Sequence, residues 1–317
     1  MFLSRYGWES ALTRASIIIE CGRKSGLGRV RRTLTLTRAL KAQGFACDVY
    51  VTSDEGSDLI EAMGFSASPV ALLPEQFDFL VMDTCSQTAD EVTALCARAR
   101  LSCVIDDLAE RPVTCDFVIN PNLYAPGLDY SAYKAQEIFR GPSCALVDDV
   151  FFSNAQPQGA RSGFVVSFGG TDDGSLAAPV AAELHARTGE PVYVPIPSYQ
   201  EPCAALLALD GDQISILRGA DMPVLLGQAR TYVGAAGATV LEALAAGCKV
   251  CATATQADQH KNVGFLPEIG VATLDAYDPH NVSVLALLQH REPAGAAAIH
   301  AGAADDIAAK IAKVAFA

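Results

Sequence analysis

The sequence predicts an α/β protein built from two doubly wound parallel sheets. Three observations carry this. Short apolar runs of strand length alternate with longer helical stretches along the whole chain. A polar segment rich in Asn, Gln, Pro and Gly interrupts the alternation near the middle, and the alternation then restarts. The length, 317 residues, suits two domains of ordinary size.

In chain order, the first strands are "SIIIEC" (16–21), "DVYVTS" (48–53), "FLVMDT" (79–84), "SCVIDD" (102–107) and "DFVINP" (116–121). They are nearly continuous apolar runs, as strands buried on both faces must be. "RRTLTLTRALKAQG" and "ADEVTALCARAR" read as the helices between them. "SNAQPQGARSG" then reads as a linker, placed at 153–162. The second series is "GFVVSFGG" (163–170), "PVAAELHARTG", "PVYVPI", "QISILRG", "ARTYVGA", "TVLEALAAG" and "KVCATA", followed by an alanine-rich tail of one or two helices. The expected domains are therefore 1–152 and 163–317. Ligands of such sheets bind beyond the carboxyl ends of the strands, and with two domains the cleft between them is the natural site.

Composition narrows the partners. Half the residues are hydrophobic, 19% are charged, and the formal net charge is −13. An acidic chain repels nucleic acid and anionic membranes, and no apolar run is long enough for membrane insertion. Cations are nevertheless concentrated locally: Arg23, Lys24, Arg29, Arg31, Arg32, Arg38 and Lys41 follow Cys21 with no acid among them. Part of this cluster reads as a solvated helix face, part as a receiver of small anions. The ten cysteines are scattered singly through apolar segments, and residues 1–10 contain no apolar leader, so reduced thiols and a cytoplasmic location are expected. Cys248 and Cys251 have C-x-x-C spacing, but in a strand their sulfurs point to opposite faces and no second pair completes a zinc site. No metal and no cofactor are expected.

Three glycine-bearing strand ends are candidate ligand sites. Gly26 and Gly28 follow the first strand. Gly169, Gly170 and Thr171 end "SFGGT". Gly237, Ala238 and Thr239 open a helix directly after a strand, where free N–H groups and the helix dipole suit a diphosphate. Glu242 follows about one turn later, where a carboxylate can accept from ribose hydroxyls. Gln256, Asp258, Gln259 and Asn262 form a polar cluster after the next strand. Each alone also fits a plain turn or a surface helix; their order along the chain is what points to a nucleotide-sugar. A dinucleotide fold would need a third glycine where Arg31 stands.

That order resembles the GT-B group of nucleotide-sugar enzymes and its MurG-like half in particular. "GLGRVRRTLTLTRAL", "VIDDLAERPVTCDFVINPNL", "GPSCALV", "VSFGGTD" and "GAAGATVLEALAAG" are similar to the PseG-like family of UDP-diacetamido-trideoxy-altrose hydrolases of pseudaminic acid biosynthesis, which supplies flagellin glycosylation. The resemblance implies two Rossmann-like domains with parallel sheets facing a cleft, UDP on the C-terminal domain and the sugar toward the N-terminal one. It implies inverting attack of water on the anomeric carbon, with release of UDP and no metal. By position, Gly237, Ala238 and Thr239 take the diphosphate and Glu242 the ribose. Gly219 and Met222 line the uracil, and Asp106, Asp107 and Asn120 belong to the N-domain cleft.

The sequence departs from the family at the chemistry. The family's Gly-x-Gly-His-x-x-Arg reads Gly26-Leu-Gly28-Arg29-Val-Arg-Arg32 here: Arg32 matches, and Arg29 replaces the histidine thought to serve the water. Arg29 cannot act as a general base, because guanidinium stays protonated in proteins. Asp148 stands where the family usually has arginine, and a tyrosine is missing near Cys144. Three readings follow. The first is a hydrolase with its base elsewhere, with Asp107 and His260 the catalytic candidates beside Arg29, and Glu20 and Asp83 also near strand ends. The second is a glycosyltransferase whose acceptor is an anion held by Arg29. The third is a non-catalytic binder of a UDP-sugar.

Overall fold

The computed structural model describes residues 14–22, 27–291 and 299–316. The chain divides into two compact units.

The first unit contains β1 (Arg14–Ile19), α1 (Gly28–Ala42), β2 (Ala46–Val51), α2 (Asp54–Glu61), β3 (Ala67–Pro69), β4 (Phe77–Asp83), α3 (Ala89–Cys96), β5 (Ala99–Ile105), β6 (Phe117–Asn120) and β7 (Glu137–Arg140). Its seven strands are ordered β3-β2-β1-β4-β5-β6-β7, all parallel. The order reverses between β1 and β4, so the crevice beyond their carboxyl ends is the natural place for chemistry. Both faces of the sheet are covered. Ile17, Ile19, Phe79 and Val81 face one core with Leu34 and Leu40 of α1, while Ile18, Leu80 and Met82 face another with Val92 of α3 and Tyr130. This is why the strands read as unbroken apolar runs.

The second unit contains α4 (Val150–Ser153), β8 (Ser162–Ser167), α5 (Ala177–Thr188), β9 (Val192–Ile196), α6 (Ala204–Leu207), β10 (Ile214–Arg218), α7 (Met222–Gln228), β11 (Ala229–Ala235), α8 (Ala238–Ala245), β12 (Lys249–Thr253), α9 (His260–Phe265), β13 (Ala272–Leu274) and α10 (Pro279–Arg291). Its six parallel strands run β10-β9-β8-β11-β12-β13, with the reversal between β8 and β11. Phe164, Val166, Val233 and Cys251 pack against Val180 and Leu184 of α5 and Val282 of α10.

The domain limits differ from the expected ones in two places. The last helix, α11 (Ala303–Ala315), belongs to the first unit, not to a domain running from 163 to 317. Its stripe of Ala304, Ile307, Ala308, Ile311, Ala312 and Ala315 closes the core that holds Leu40 and Phe45, and Phe316 lies 4.9 Å from the Phe45 ring. An apolar stripe shows that a helix is covered but not which sheet covers it. The boundary also moves from 152 back to Val147, and residues 153–162 are not a loose linker. Phe151 is buried, and the Arg161 guanidinium, 2% exposed, donates to the carbonyls of Gln156, Leu226, Ala229 and Ala246. Four carbonyls thus take up a buried charge that the sequence presents as a loop cation.

All ten cysteines are free. Cys248 precedes β12 with its Sγ donating to the Leu226 carbonyl, while Cys251 lies in the α10-facing core. No group of acids, histidines and cysteines with metal-holding geometry occurs among the described residues.

Candidate functional site

In the first unit the strand ends assemble an ion-pair lattice. Asp83 is the last residue of β4 and pairs in register with Ile19, so it stands beside Glu20, whose N–H donates to the Asp83 carbonyl at 2.9 Å. Helix α1 begins at Gly28 and turns Arg29 and Arg32 toward these ends. Arg32 donates from Nε (2.8 Å) and Nη2 (2.7 Å) to Asp83, and from Nη1 (2.6 Å) and Nη2 (2.9 Å) to Asp107, which follows β5. Thr33 Oγ1 donates to Asp83 at 2.5 Å. One guanidinium therefore forks between two carboxylates, a geometry that lysine cannot reproduce.

The motif "VIDDLAERPVTCDFVINPNLY" forms the cradle of Asp107. Asn122 Nδ2 donates to Asp107 Oδ1 (2.6 Å), and Asn120 Nδ2 and Tyr124 Oη donate to its backbone carbonyl (2.8 and 3.1 Å). Asn120 Nδ2 also reaches Tyr130 Oη at 2.8 Å. Burial alone would raise the Asp107 carboxyl, but the Arg32 charge and its hydrogen bonds outweigh this and hold it below the usual range. Asp106 is turned away. It accepts from Tyr133 Oη (2.6 Å) and from the N–H groups of Leu108 and Ala109, which fixes Ala109 at φ 55°, a left-handed angle costly for a residue with a Cβ.

Glu20 is occupied as well. Its Oε2 accepts from the Cys85 N–H (2.8 Å), the Ser86 N–H (2.9 Å) and Ser86 Oγ (2.9 Å), and Cys85 Sγ lies 3.3 Å from Oε1. Burial pushes this carboxyl up, but the donors of Ser86 and Cys85 outweigh it and pull it down to about 2. Arg29 is held more loosely. Its Nη1 donates to the Glu20 carbonyl at 3.4 Å, and its Nε lies 3.3 Å from Asp83 Oδ1.

In the second unit three strand ends converge. Gly169, after β8, has φ 96°, which only glycine adopts freely, and no atom lies within 4 Å of where a Cβ would stand. Gly170 and Thr171 follow it. Gly237 is the N-cap of α8 with no side chain capping it, so Ala238 and Thr239 open the helix with its first backbone donors not taken by a cap. Gln259 Nε2 sits beside Gly237, 3.8 Å from a Cβ placed there, while its Oε1 accepts from the Thr255 N–H at 2.9 Å. Asn262 Nδ2 donates to the Ala236 carbonyl at 2.9 Å, and Gln256 Nε2 reaches Thr171 Oγ1 at 3.5 Å. The polar cluster after β12 is thereby tied to both glycine turns. Glu242 is buried in α8 at 5% exposure.

Met222 is buried as the first residue of α7, after the Asp221 cap, and Gly219 follows β10 with φ 62°. A concavity of about 360 Å³ opens between β10 and α7, lined by Ile216, Arg218, Asp221, Val224, Leu225 and Gln228. His260 heads α9 and is exposed. Gly26 and the Asp258 side chain lie outside the described residues. Sequence reasoning missed Thr33, Ser86, Asn122, Tyr124, Tyr130 and Tyr133. The signal for Asn122 and Tyr124 was present in "NPNLY", polar residues directly after a strand end.

Two parallel-sheet units with these switch points define a GT-B fold, and solved structures of that class superpose on the chain. The spinosyn rhamnosyltransferase SpnG does so with a TM-score of 0.65 at 13% identity, covering 95% of each chain. MurG of Acinetobacter baumannii gives 0.59 at 15%, covering 95% of this chain and 99% of its own. Arabidopsis thaliana UGT89C1, solved with UDP, gives 0.64 at 12%, covering 96% and 100%. Among characterised proteins the chain is similar to the UDP-2,4-diacetamido-2,4,6-trideoxy-β-L-altropyranose hydrolase of Campylobacter jejuni, 26% identical over 173 residues. The match takes in 50% of this chain and 61% of that protein's length. No family model matches the chain.

Proposed function

We propose that the chain is a UDP-sugar hydrolase of the pseudaminic (nonulosonic) acid type, acting in the cytoplasm. Water attacks the anomeric carbon with inversion and UDP leaves. The observation that carries the reading is the convergence, in the second unit, of the Gly169–Gly170–Thr171 turn and the Gln256–Gln259 loop on the uncapped start of α8. An open helix start of this kind suits a diphosphate. On this reading Gly237, Ala238 and Thr239 hold the diphosphate and Glu242 the ribose. Gly219 and Met222 lie toward the uracil, and Gly169, Gly170, Thr171, Asp258 and Gln259 frame the phosphates. Arg29, Arg32 and Asp107, with Gly26 and Gly28, act on the sugar side, and His260 is the remaining titratable candidate. The printed activity of the Campylobacter relative and the UDP held by the Arabidopsis structure support it. Among the described residues no helix is long and apolar enough to cross a membrane.

The state of the first unit favours a second reading, transfer to an acceptor. Asp83, Asp107 and Glu20 are each committed to several hydrogen bonds within the unit, so none stands as an uncommitted general base. A missing general base typically costs about 10² to 10⁴ in rate, and an acceptor that is already ionised needs none. Calorimetry with UDP tests the nucleotide half. Glu242→Gln and Thr239→Val are each expected to weaken UDP about tenfold, the worth of one charge-assisted hydrogen bond; unchanged affinity in both overturns the assignment. Proton NMR with the relative's UDP-sugar and no acceptor separates the two readings, since free sugar appearing with UDP marks hydrolysis.

A further inference from the structure

The lattice of the first unit is unevenly shared. Arg32 uses Nε, Nη1 and Nη2 on Asp83 and Asp107. Thr33 and Asn122 complete those two carboxylates, and Glu20 is committed to the Cys85–Ser86 loop. Arg29 is left over. Its Nε is buried with no hydrogen-bond partner, and its Nη1 reaches the Glu20 carbonyl only at a long 3.4 Å. The Asp83 oxygen 3.3 Å from its Nε is already taken by Arg32 Nη2 at 2.7 Å. A buried guanidinium donor left without an acceptor is unfavourable unless a ligand completes it. The side chain is 17% exposed, so it can be reached from solvent.

We propose that Arg29 is the receiving group of an oxyanion subsite, binding the carboxylate or phosphate of a second ligand distinct from UDP. The inference rests on the UDP-sugar reading only for the identity of the reaction; the subsite itself stands on the first unit alone. Guanidinium presents paired N–H donors that match a carboxylate or phosphate edge, and two of the three acids nearby are engaged by Arg32, the third by a backbone nest, which leaves the Arg29 Nε–H without an acceptor that an incoming anion could supply. An imidazole at this position would offer a proton acceptor instead; the arginine exchanges that for a fixed positive charge.

The test uses the full chain saturated with UDP, so that the α8 start is occupied, titrated with inorganic phosphate and separately with acetate, with the Arg29 Nε–H resonance followed by proton–nitrogen NMR in the wild type and anion affinity measured by calorimetry in the wild type and the variants. The expected result is a saturable downfield shift with at least one anion. Arg29→Gln is expected to weaken that anion about tenfold or more while UDP affinity stays within about twofold. Arg29→Lys, which keeps the charge and loses the fork, is expected to fall between. A response to phosphate alone identifies a phosphate ligand, and a response to acetate alone identifies a carboxylate. The proposal is overturned if neither anion shifts the resonance, or if Arg29→Gln binds as the wild type does. Failure of UDP to bind sinks the nucleotide reading and leaves the Arg29 titration to be read on its own.

Discussion

Replacing Asp83 with asparagine should destabilise the first unit more than the same change at Asp107. Asp83 is 1% exposed and takes Arg32 Nε at 2.8 Å, Arg32 Nη2 at 2.7 Å and Thr33 Oγ1 at 2.5 Å. Removing one partner of a buried ion pair costs about 3–5 kcal/mol. Arg32 retains Asp107, so the lower end applies, about 3 kcal/mol. Asp107 is 30% exposed, water screens its pair, and Asp107→Asn should cost about 1–1.5 kcal/mol. A cycle with Arg32→Gln should give a coupling to Asp83 of about 1.5–3 kcal/mol. Urea unfolding by circular dichroism measures the totals. Two units make one transition an unsafe assumption, so hydrogen exchange in β1, α1 and β4 must assign the loss to the first unit. The pH dependence adds a check. The folded Asp107 titrates below its unfolded value of about 3.9, so its contribution is complete above that value and disappears as pH falls through the lower folded value. The gap between wild type and Asp107→Asn should therefore close in acid. A smaller loss for Asp83→Asn than for Asp107→Asn, or a coupling below about 0.5 kcal/mol, would show that the lattice does not hold the site as described.

Two further outcomes concern the second unit. His290 is 8% exposed and stacks 4.4 Å from Phe164, with Thr231 Oγ1 at its Nδ1, Glu190 and Arg230 at its Nε2, and Lys249 on its carbonyl. Burial lowers its affinity for a proton, so the unfolded chain takes up a proton near pH 6.5 that the folded chain refuses; melting temperature should fall as pH drops below about 6.5, and His290→Gln should flatten that slope. Gly234→Ala would place a Cβ 1.8 Å from the Ser167 carbonyl oxygen and force β8 and β11 apart, costing about 3 kcal/mol or more in chemical denaturation; a loss below about 1 kcal/mol would contradict the β8–β11 register.

The strands that line the two switch points were legible in the sequence because burial on both faces leaves a run no polar residue interrupts. "SIIIEC" and "FLVMDT" lie within two residues of β1 and β4. The edge strands β3, β7 and β13 were not legible: three or four residues long and largely unburied, they carry no such run. In the site, the glycine turns were readable because backbone conformation restricts residue type. The ion-pair lattice was readable only in its members. Asp83, Asp107 and Glu20 stood out as acids near strand ends and Arg32 as the matching residue of the first glycine motif, but which carboxylate each arginine takes depends on strand order, and that is a long-range property. The same holds for Arg161, whose four carbonyl partners come from separated segments.

The return of α11 to the first unit has a consequence for how the chain is made. A ribosome delivers β1 to β7 first, then the entire second unit, and only at the end the helix that covers Leu40, Phe45 and their neighbours. Until then the part of that core which α11 covers stays greasy and open beside α1, while the second unit can already close its own core. Any fragment cut at the mid-chain boundary inherits that uncovered patch permanently. A shortened expression clone of the first half should therefore precipitate unless the last helix is spliced back on, for instance by a short tether after β7.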